Sequence, residues 1–186
     1  MPKLIDHNIY KTELLEKCFE LFCRRGYASV SMREIANELD ISTGAMYHYF
    51  PTKLSILEQM FNEVMRKDVE EAERTIQRSM PLIEKLKKFK IFIKGKESYY
   101  QNLLLLAVDF YRNSNPKESS KVLEDFSKHF SDALAKNLDL PESIGTTLFV
   151  FILGLVYSTL MAPGTVILDE QLDIINEMLV FISNDS

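Results

Sequence analysis

The sequence predicts an all-α protein, and three observations carry that expectation. Only 6 Gly and 6 Pro are spread over 186 residues, too few for a sandwich or barrel that needs turn residues about every eight to twelve positions. Apolar residues recur at intervals of three and four, the period of an amphipathic helix. Helix-start and helix-stop residues separate these stretches into about nine helices. The composition, 46% hydrophobic and 26% charged, is that of a chain able to bury a core, and it excludes disordered and collagen-like classes. The expected division is a three-helix head over residues 1–52 and a larger helical region over 53–186.

The first helix spans Asn8 to Arg25, with Ile9, Leu15, Cys18, Phe19 and Phe22 on one stripe and Leu14 and Leu21 widening it. Arg24 and Arg25 occupy its last turn, and Gly26 follows where a left-handed C-cap is expected. Ser31-Met32-Arg33-Glu34 is a capping box, so a second, short helix starts at Met32 and buries Ile35, Ala36 and Leu39. Asp40 interrupts it. Ser42 caps a third helix running from Thr43 to Phe50, with Met46 and Tyr49 or Phe50 inward, and Pro51 ends it. Thr52 caps a fourth, expected to reach about Met80. Five more follow at about 82–95, 97–113, 117–138, 142–162 and 169–183, divided by Asn113-Ser114-Asn115-Pro116, Asp139-Leu140-Pro141 and Pro163-Gly164.

The second and third helices form a helix-turn-helix. Ala36 stands at their crossing, where a larger side chain would hold them apart, and Ile35, Leu39, Ile41 and Met46 join them. Asp40 takes the turn position that wants a left-handed backbone, which Asp tolerates better than most residues. Thr43, Gly44 and Ala45 leave the first turn of the third helix small, so its backbone can approach the floor of a major groove. Its N-terminus directs free amides toward phosphate.

Ser31-Met32-Arg33-Glu34-Ile35-Ala36, then Ile41-Ser42-Thr43-Gly44-Ala45-Met46-Tyr47-His48-Tyr49-Phe50 and Lys53, resemble the tetracycline-repressor (TetR) family. The likeness covers roughly Asn8 to Met60; the remainder is similar only in length and helical make-up. It implies an all-helical homodimer with an N-terminal DNA-binding domain and a C-terminal effector-binding and dimerisation domain. By position it implies that Ser31, Tyr47, His48 and Lys53 grip phosphate oxygens and that Thr43, Gly44 and Ala45 lie near base edges, with Arg33 and Ser42 in the same DNA-binding set. The donors suit phosphate, and a Thr methyl or an Ala can meet a thymine methyl. Two departures stand out: Asp40 replaces the commoner turn glycine, and Leu54-Ser55 replaces an acidic pair. Packing is the competing role for Tyr47 and the preferred one for Tyr49, while His48 could be a solvated side chain. Lys53 is a cation at a helix start, where the dipole disfavours it, and that mismatch favours a functional role.

Ser143 to Leu168 is long and apolar enough to suggest a membrane span. Pro163-Gly164, the polar Thr146, Thr147, Ser158 and Thr159, and the lack of flanking Lys or Arg argue against one. The expectation is instead a helix buried on all sides. Gly154, Ser158 and Ala162 form a small-residue ridge on it. This helix and the next, with Leu172, Ile175, Leu179 and Ile182 inward, are expected to pair with their symmetry mates in a four-helix dimer interface. Candidate effector-binding residues are Phe61, Met65, Tyr99, Tyr100, Leu103, Phe110, Phe126, Phe130, Phe149 and Tyr157, which points to a small apolar or aromatic effector. Lys85, Lys87, Lys88, Lys90, Lys94 and Lys96 read as the solvated face of an amphipathic helix rather than a membrane contact.

The formal net charge of −5 falls entirely beyond Lys53; the part up to that residue is neutral. Charge therefore neither supports nor excludes a DNA partner. Cys18 and Cys23, roughly 8 to 9 Å apart on one helix, are too distant for a disulfide. Residues 1–10 carry charge and no apolar run, so no signal peptide is expected and the cytoplasm is the expected compartment. Asp125, His129 and Asp132 share a helix face, but no nucleophile motif, phosphate-cradling loop or cysteine metal spacing accompanies them. No enzyme activity, cofactor or metal is expected. The expected partners are a double-stranded near-palindromic operator, a small-molecule effector and a second copy of the chain, with no membrane. The most favoured role is a repressor; the alternative is a helical protein-interaction module that kept the head fold and lost DNA binding.

Overall fold

The computed structural model describes residues 7–184, among which there are nine α-helices and no strand. The leader expectation for the N-terminus concerns residues 1–6 in part, and these lie outside the described residues. The helices are α1 (His7–Arg25), α2 (Met32–Glu38), α3 (Thr43–Tyr49), α4 (Lys53–Thr75), α5 (Leu82–Gly95), α6 (Glu97–Asn113), α7 (Pro116–Leu138), α8 (Glu142–Met161) and α9 (Leu168–Asn184). Their boundaries follow the sequence signals, with one clear exception. α4 stops at Thr75, short of the expected Met80, because Pro81 disfavours helical backbone at the residue before it and the polar Gln77, Arg78 and Ser79 offer no inward face. Ile76, just past the end, is buried.

The chain divides into two compact units: one takes in the chain up to Arg66 with Leu105–Leu123, the other Lys67–Leu104 and the chain from Glu124 onward. The unit containing the head is thus larger than residues 1–52, and α4, α6 and α7 each contribute residues to both units. In the first unit, Leu14, Cys18, Leu21 and Phe22 of α1 are buried, as are Ile35 and Ala36 of α2, Met46 and Phe50 around α3, Ile56, Leu57, Met60 and Phe61 of α4, and Phe110 of α6. Burial pushes the Cys18 thiol up to about 12 and that of Cys23 up to about 11, so both sulfurs stay protonated.

In the second unit α5 packs on α9, with Leu86, Phe89 and Ile93 of α5 and Leu172, Ile175 and Leu179 of α9 all buried. This corrects the expected interface: Leu172, Ile175 and Leu179 cannot face a partner chain, because they are spent inside their own chain. Nor are the lysines of α5 simply a solvated face. Lys85 is buried, Lys90 pairs with Asp169 at 3.2 Å and Asp173 at 2.5 Å, and Lys94 also binds Asp169. Lys90 and Lys94 fix α5 against the first two turns of α9, while Lys85 lies 3.9 Å from Asp139.

α8 departs from expectation as well. Its length and apolar character would let it cross a membrane, yet most of it lies outside the core. Only one side, with Gly145, Leu148, Leu155 and Val156, is buried. The other leaves Val150, Leu153, Tyr157 and Met161 exposed, together with Gly154 and Ala162. Ile174, Met178, Phe181 and Ile182 of α9 are likewise exposed. α7 comes so close at Gly145 that an added Cβ would stand 2.5 Å from the Ser131 carbonyl oxygen and 2.8 Å from the Ala135 Cβ.

Candidate nucleic-acid interface

Local chemistry builds the helix-turn-helix. Ser31 has extended backbone; its Oγ accepts from the Glu34 amide at 3.3 Å, and the Glu34 carboxylate accepts from the Ser31 amide at 2.8 Å, completing the capping box. These two Ser31 bonds, with help from Arg25, hold the Glu34 carboxyl down at about 2. Asp40 turns the chain at φ 54°. The Ile41 amide donates to the Ala36 carbonyl at 3.0 Å, and Ala36 is wholly buried at the crossing. Ser42 caps α3 by accepting from the Ala45 amide at 3.1 Å. Ser55, one of the two departures from the resembled pattern, has a job: Thr52 Oγ1 accepts from the Ser55 amide at 3.0 Å and the Ser55 hydroxyl accepts from the Thr52 amide at 3.2 Å. It supplies the third position of a second capping box at the start of α4.

The α3 face carries a mostly exposed polar set. Tyr47 is 49% exposed, and Ser42, Gly44 and His48 are exposed, with Thr43 and Ala45 half-buried beside them. The His48 ring lies edge-on to that of Tyr49, 5.5 Å between centroids. Tyr49 is intermediate between its two expected roles: half-buried, with its hydroxyl 3.1 Å from His7 Nδ1. Met46 and Phe50 fill the inward positions. On α2, Arg33 is exposed and makes no ion pair among the described residues, whereas Arg25 pairs with Glu34 at 3.0 Å and Arg24 pairs with Glu38. The acids of α2 are therefore offset by the C-terminal arginines of α1, leaving the Arg33 charge unopposed.

Two of the expected phosphate-binding residues have partners within the chain. The Ser31 hydroxyl donates its one proton to the Glu34 carboxylate at 2.8 Å. The Lys53 ammonium donates to the carbonyls of Tyr27 at 2.8 Å and Val30 at 3.0 Å and lies 4.3 Å from the centre of the Tyr27 ring. Burial pushes its pKa down, while Asp109 and Glu34 pull it back up. The cation at a helix start is thus paid for by two loop carbonyls. Tyr27, Val30 and Asp109 were not legible as part of this arrangement, although two apolar residues in the short Gly26–Ser31 connection hinted at a loop that packs.

The ten expected effector residues are divided between the two units. Phe61, Met65 and Phe110 belong to the head-containing unit, where Phe61 and Phe110 are buried and Phe110 meets the Tyr27 ring edge-on at 5.2 Å. Tyr157 is 56% exposed on the open side of α8, so it lines no interior. The second unit does join Tyr100, Phe126, Phe130 and Phe149: Phe130 lies 5.1 to 6.3 Å, centroid to centroid, from the other three rings. Leu103 is buried and Tyr99 half-buried on the same helix as Tyr100. Beside this cluster the buried Asp68 carboxylate accepts from the Tyr100 hydroxyl at 3.1 Å and from Lys96 at 2.5 Å. Burial raises the Asp68 pKa and raises that of Tyr100 well above its usual value. Among the described residues no group of three or more His, Cys, Asp or Glu is placed to hold a metal ion, and His129 Nδ1 meets the backbone oxygen of Asp125 at 2.6 Å.

Comparison with known proteins agrees with this geometry. Residues 14–60 match the family of bacterial regulatory proteins, tetR family. An uncharacterised HTH-type transcriptional regulator of Bacillus subtilis, YuxN, is 47% identical over 49 residues, which is 26% of this chain and only 17% of that protein's length. The fold as a whole matches FadR of Bacillus subtilis, solved in complex with stearoyl-CoA, with a TM-score of 0.64, 21% identity and coverage of 92% of this chain and 97% of that one. It also matches PfmR, a TetR family transcriptional regulator from Thermus thermophilus, with a TM-score of 0.57, 17% identity and coverage of 89% and 96%. The head over residues 14–60 thus matches the tetR family of bacterial regulatory proteins, and the helical fold that carries it resembles solved structures of transcriptional regulators.

Proposed function

We propose that the chain is a homodimeric, ligand-responsive transcriptional repressor of the cytoplasm that leaves a near-palindromic operator when a small apolar or aromatic effector binds. One observation supports it above the others: α3 offers the exposed Ser42, Gly44, Tyr47 and His48 on a capped helix seated on α2, inside the segment that matches the family. A helix of that kind enters a major groove, its polar side chains meeting phosphate and its small first turn meeting base edges. The exposed apolar sides of α8 and α9, with Val150, Leu153, Tyr157, Met161, Ile174, Met178 and Phe181, favour pairing between two copies. Gly154, Ser158 and Ala162 stay in that reading; Leu172, Ile175 and Leu179 leave it. Two heads related by a two-fold axis would read half-sites about one helical turn apart.

The aromatic group of Tyr100, Phe126, Phe130 and Phe149 is the favoured effector site, and the stearoyl-CoA held by the similar Bacillus subtilis FadR makes a long-chain acyl group a reasonable first probe. α4, α6 and α7, which run from one unit into the other along the chain, are the covalent routes by which such a ligand would oppose DNA binding. The coupling free energy would be about 1 to 3 kcal/mol. Selection of bound duplexes from a random DNA pool tests the reading. A recovered palindrome supports it, and failure of the folded protein to retard any duplex at low salt refutes it.

A further inference from the structure

We propose that Lys53 is a positioning residue rather than a phosphate contact, and that with Asp109 it clamps the loop in front of α2, setting how the helix-turn-helix is presented to DNA. The inference rests on the DNA-binding role proposed above. Lys53 opens α4, and Val30 precedes the Ser31 cap of α2, so the 3.0 Å bond from Lys53 Nζ to the Val30 carbonyl joins the two ends of the segment that contains α2 and α3. The second bond, to the Tyr27 carbonyl at 2.8 Å, and the Tyr27 ring 4.3 Å from Nζ leave the ammonium enclosed by the loop. Two of the three ammonium N–H groups are thus committed to charge-assisted bonds, which are stronger than neutral ones, so a phosphate could take at most one N–H without displacing a partner.

Asp109 of α6 grips the same loop at a different backbone group. Its carboxylate accepts from the Ala28 amide at 3.2 Å and would lie 3.2 Å from a Cβ at Gly26, whose φ of 84° admits no ordinary side chain. Next to it, Phe110 packs on the ring of Tyr27. Tyr27 is therefore held by its carbonyl from α4 and by its ring from α6, and the backbone between Gly26 and Ser31 has little freedom to shift. All of these groups belong to the head-containing unit.

Two measurements on the full-length chain test the proposal. Lys53→Met keeps the stem over Tyr27 and removes the donor; Asp109→Ala removes the grip on the Ala28 amide; Lys53→Arg keeps donors and charge. On a selected duplex, Lys53→Met should weaken binding by about tenfold while the slope of log affinity against log salt stays at the wild-type value. Lys53→Arg should restore most of the affinity. Arg33→Ala, an exposed cation, should instead lower the slope by about 0.9 per head. Without DNA, Asp109→Ala should expose the Ala28 amide to hydrogen exchange, and Lys53→Met should speed exchange across residues 28–31, with unchanged helical content. A slope lowered by Lys53→Met as much as by Arg33→Ala, or loop protection untouched by both variants, overturns the clamp. If the wild type retards no duplex, the DNA-binding reading fails, and the exchange measurement alone decides the clamp.

Discussion

Gly145→Ala probes the contact that seats α8 against α7, and with it the orientation that leaves the other side of α8 outward. The new Cβ would lie 2.5 Å from the Ser131 carbonyl oxygen, 2.8 Å from the Ala135 Cβ and 3.1 Å from the Ala135 amide nitrogen. Two of these neighbours are backbone, so no rotamer change relieves the clash. Ordinary contact begins near 3.4 Å, and the helices would have to part by roughly 0.9 Å. A gap of that size forfeits about a quarter to a half of the dispersion energy across the surfaces it opens, and overpacking of this kind costs ~1 to 3 kcal/mol. Removing a helical glycine returns about 1 kcal/mol. Taking the upper end of the cost, because the obstacle is backbone, the net loss is about 2 kcal/mol. For a chain of this size that lowers Tm by about 4 to 8 °C, at about 2 to 4 °C per kcal/mol. Gly95→Ala, outside the proposed dimer surface, is the control: nothing lies within 4 Å of its Cβ, so only the propensity gain remains and Tm should rise slightly. Thermal unfolding followed by circular dichroism at fixed protein concentration reads both. A Gly145→Ala protein as stable as the wild type would show that α7 and α8 are not in close contact there.

The two faces of α9 should respond oppositely to substitution. Leu172→Ala empties a fully buried site and should cost about 2 to 5 kcal/mol in urea unfolding. Met178→Lys, at an exposed position, should leave the stability of the single chain within about 0.5 kcal/mol while sedimentation equilibrium shifts toward the monomer; an unshifted dimer would move the interface elsewhere. Acid should loosen the start of α2 through Glu34. Its folded pKa is depressed from 4.5 to about 2, so the stabilisation is complete above the unfolded value and is lost as pH falls from about 4.5 toward 2. Backbone hydrogen exchange at Ser31 and Glu34 across that range should accelerate in the wild type, and Glu34→Gln should flatten the dependence.

Much of the head was legible in the sequence because its signals are local. A serine three residues before a glutamate makes a capping box whatever surrounds it, and Ser31 and Glu34 form one. Gly26 and Asp40 sit at positive φ where a stop and a tight turn were expected. Ala36 and Met46 are buried at the crossing because a short helix has only one inward side. Lys53 was harder to read. Its charge at a helix start marked it as unusual, but its partners lie 23 and 26 residues earlier, and no local pattern records them. The aromatic residues of the larger region were hard to assign for the same reason: the period that places Phe61, Phe110 and Tyr157 on helix faces does not say which faces meet.

The sequence alone determined the class of the protein, the helix boundaries to within a residue or two for most elements, and the presence of a helix-turn-helix, because these depend on period, capping and turn chemistry between near neighbours. Only the tertiary structure decided that α9 turns Leu172, Ile175 and Leu179 toward α5, that α8 keeps Val150 and Tyr157 outward, and that Lys53 is engaged by the loop before α2. An apolar stripe specifies that a surface must be covered. What covers it depends on which distant segments the fold brings alongside.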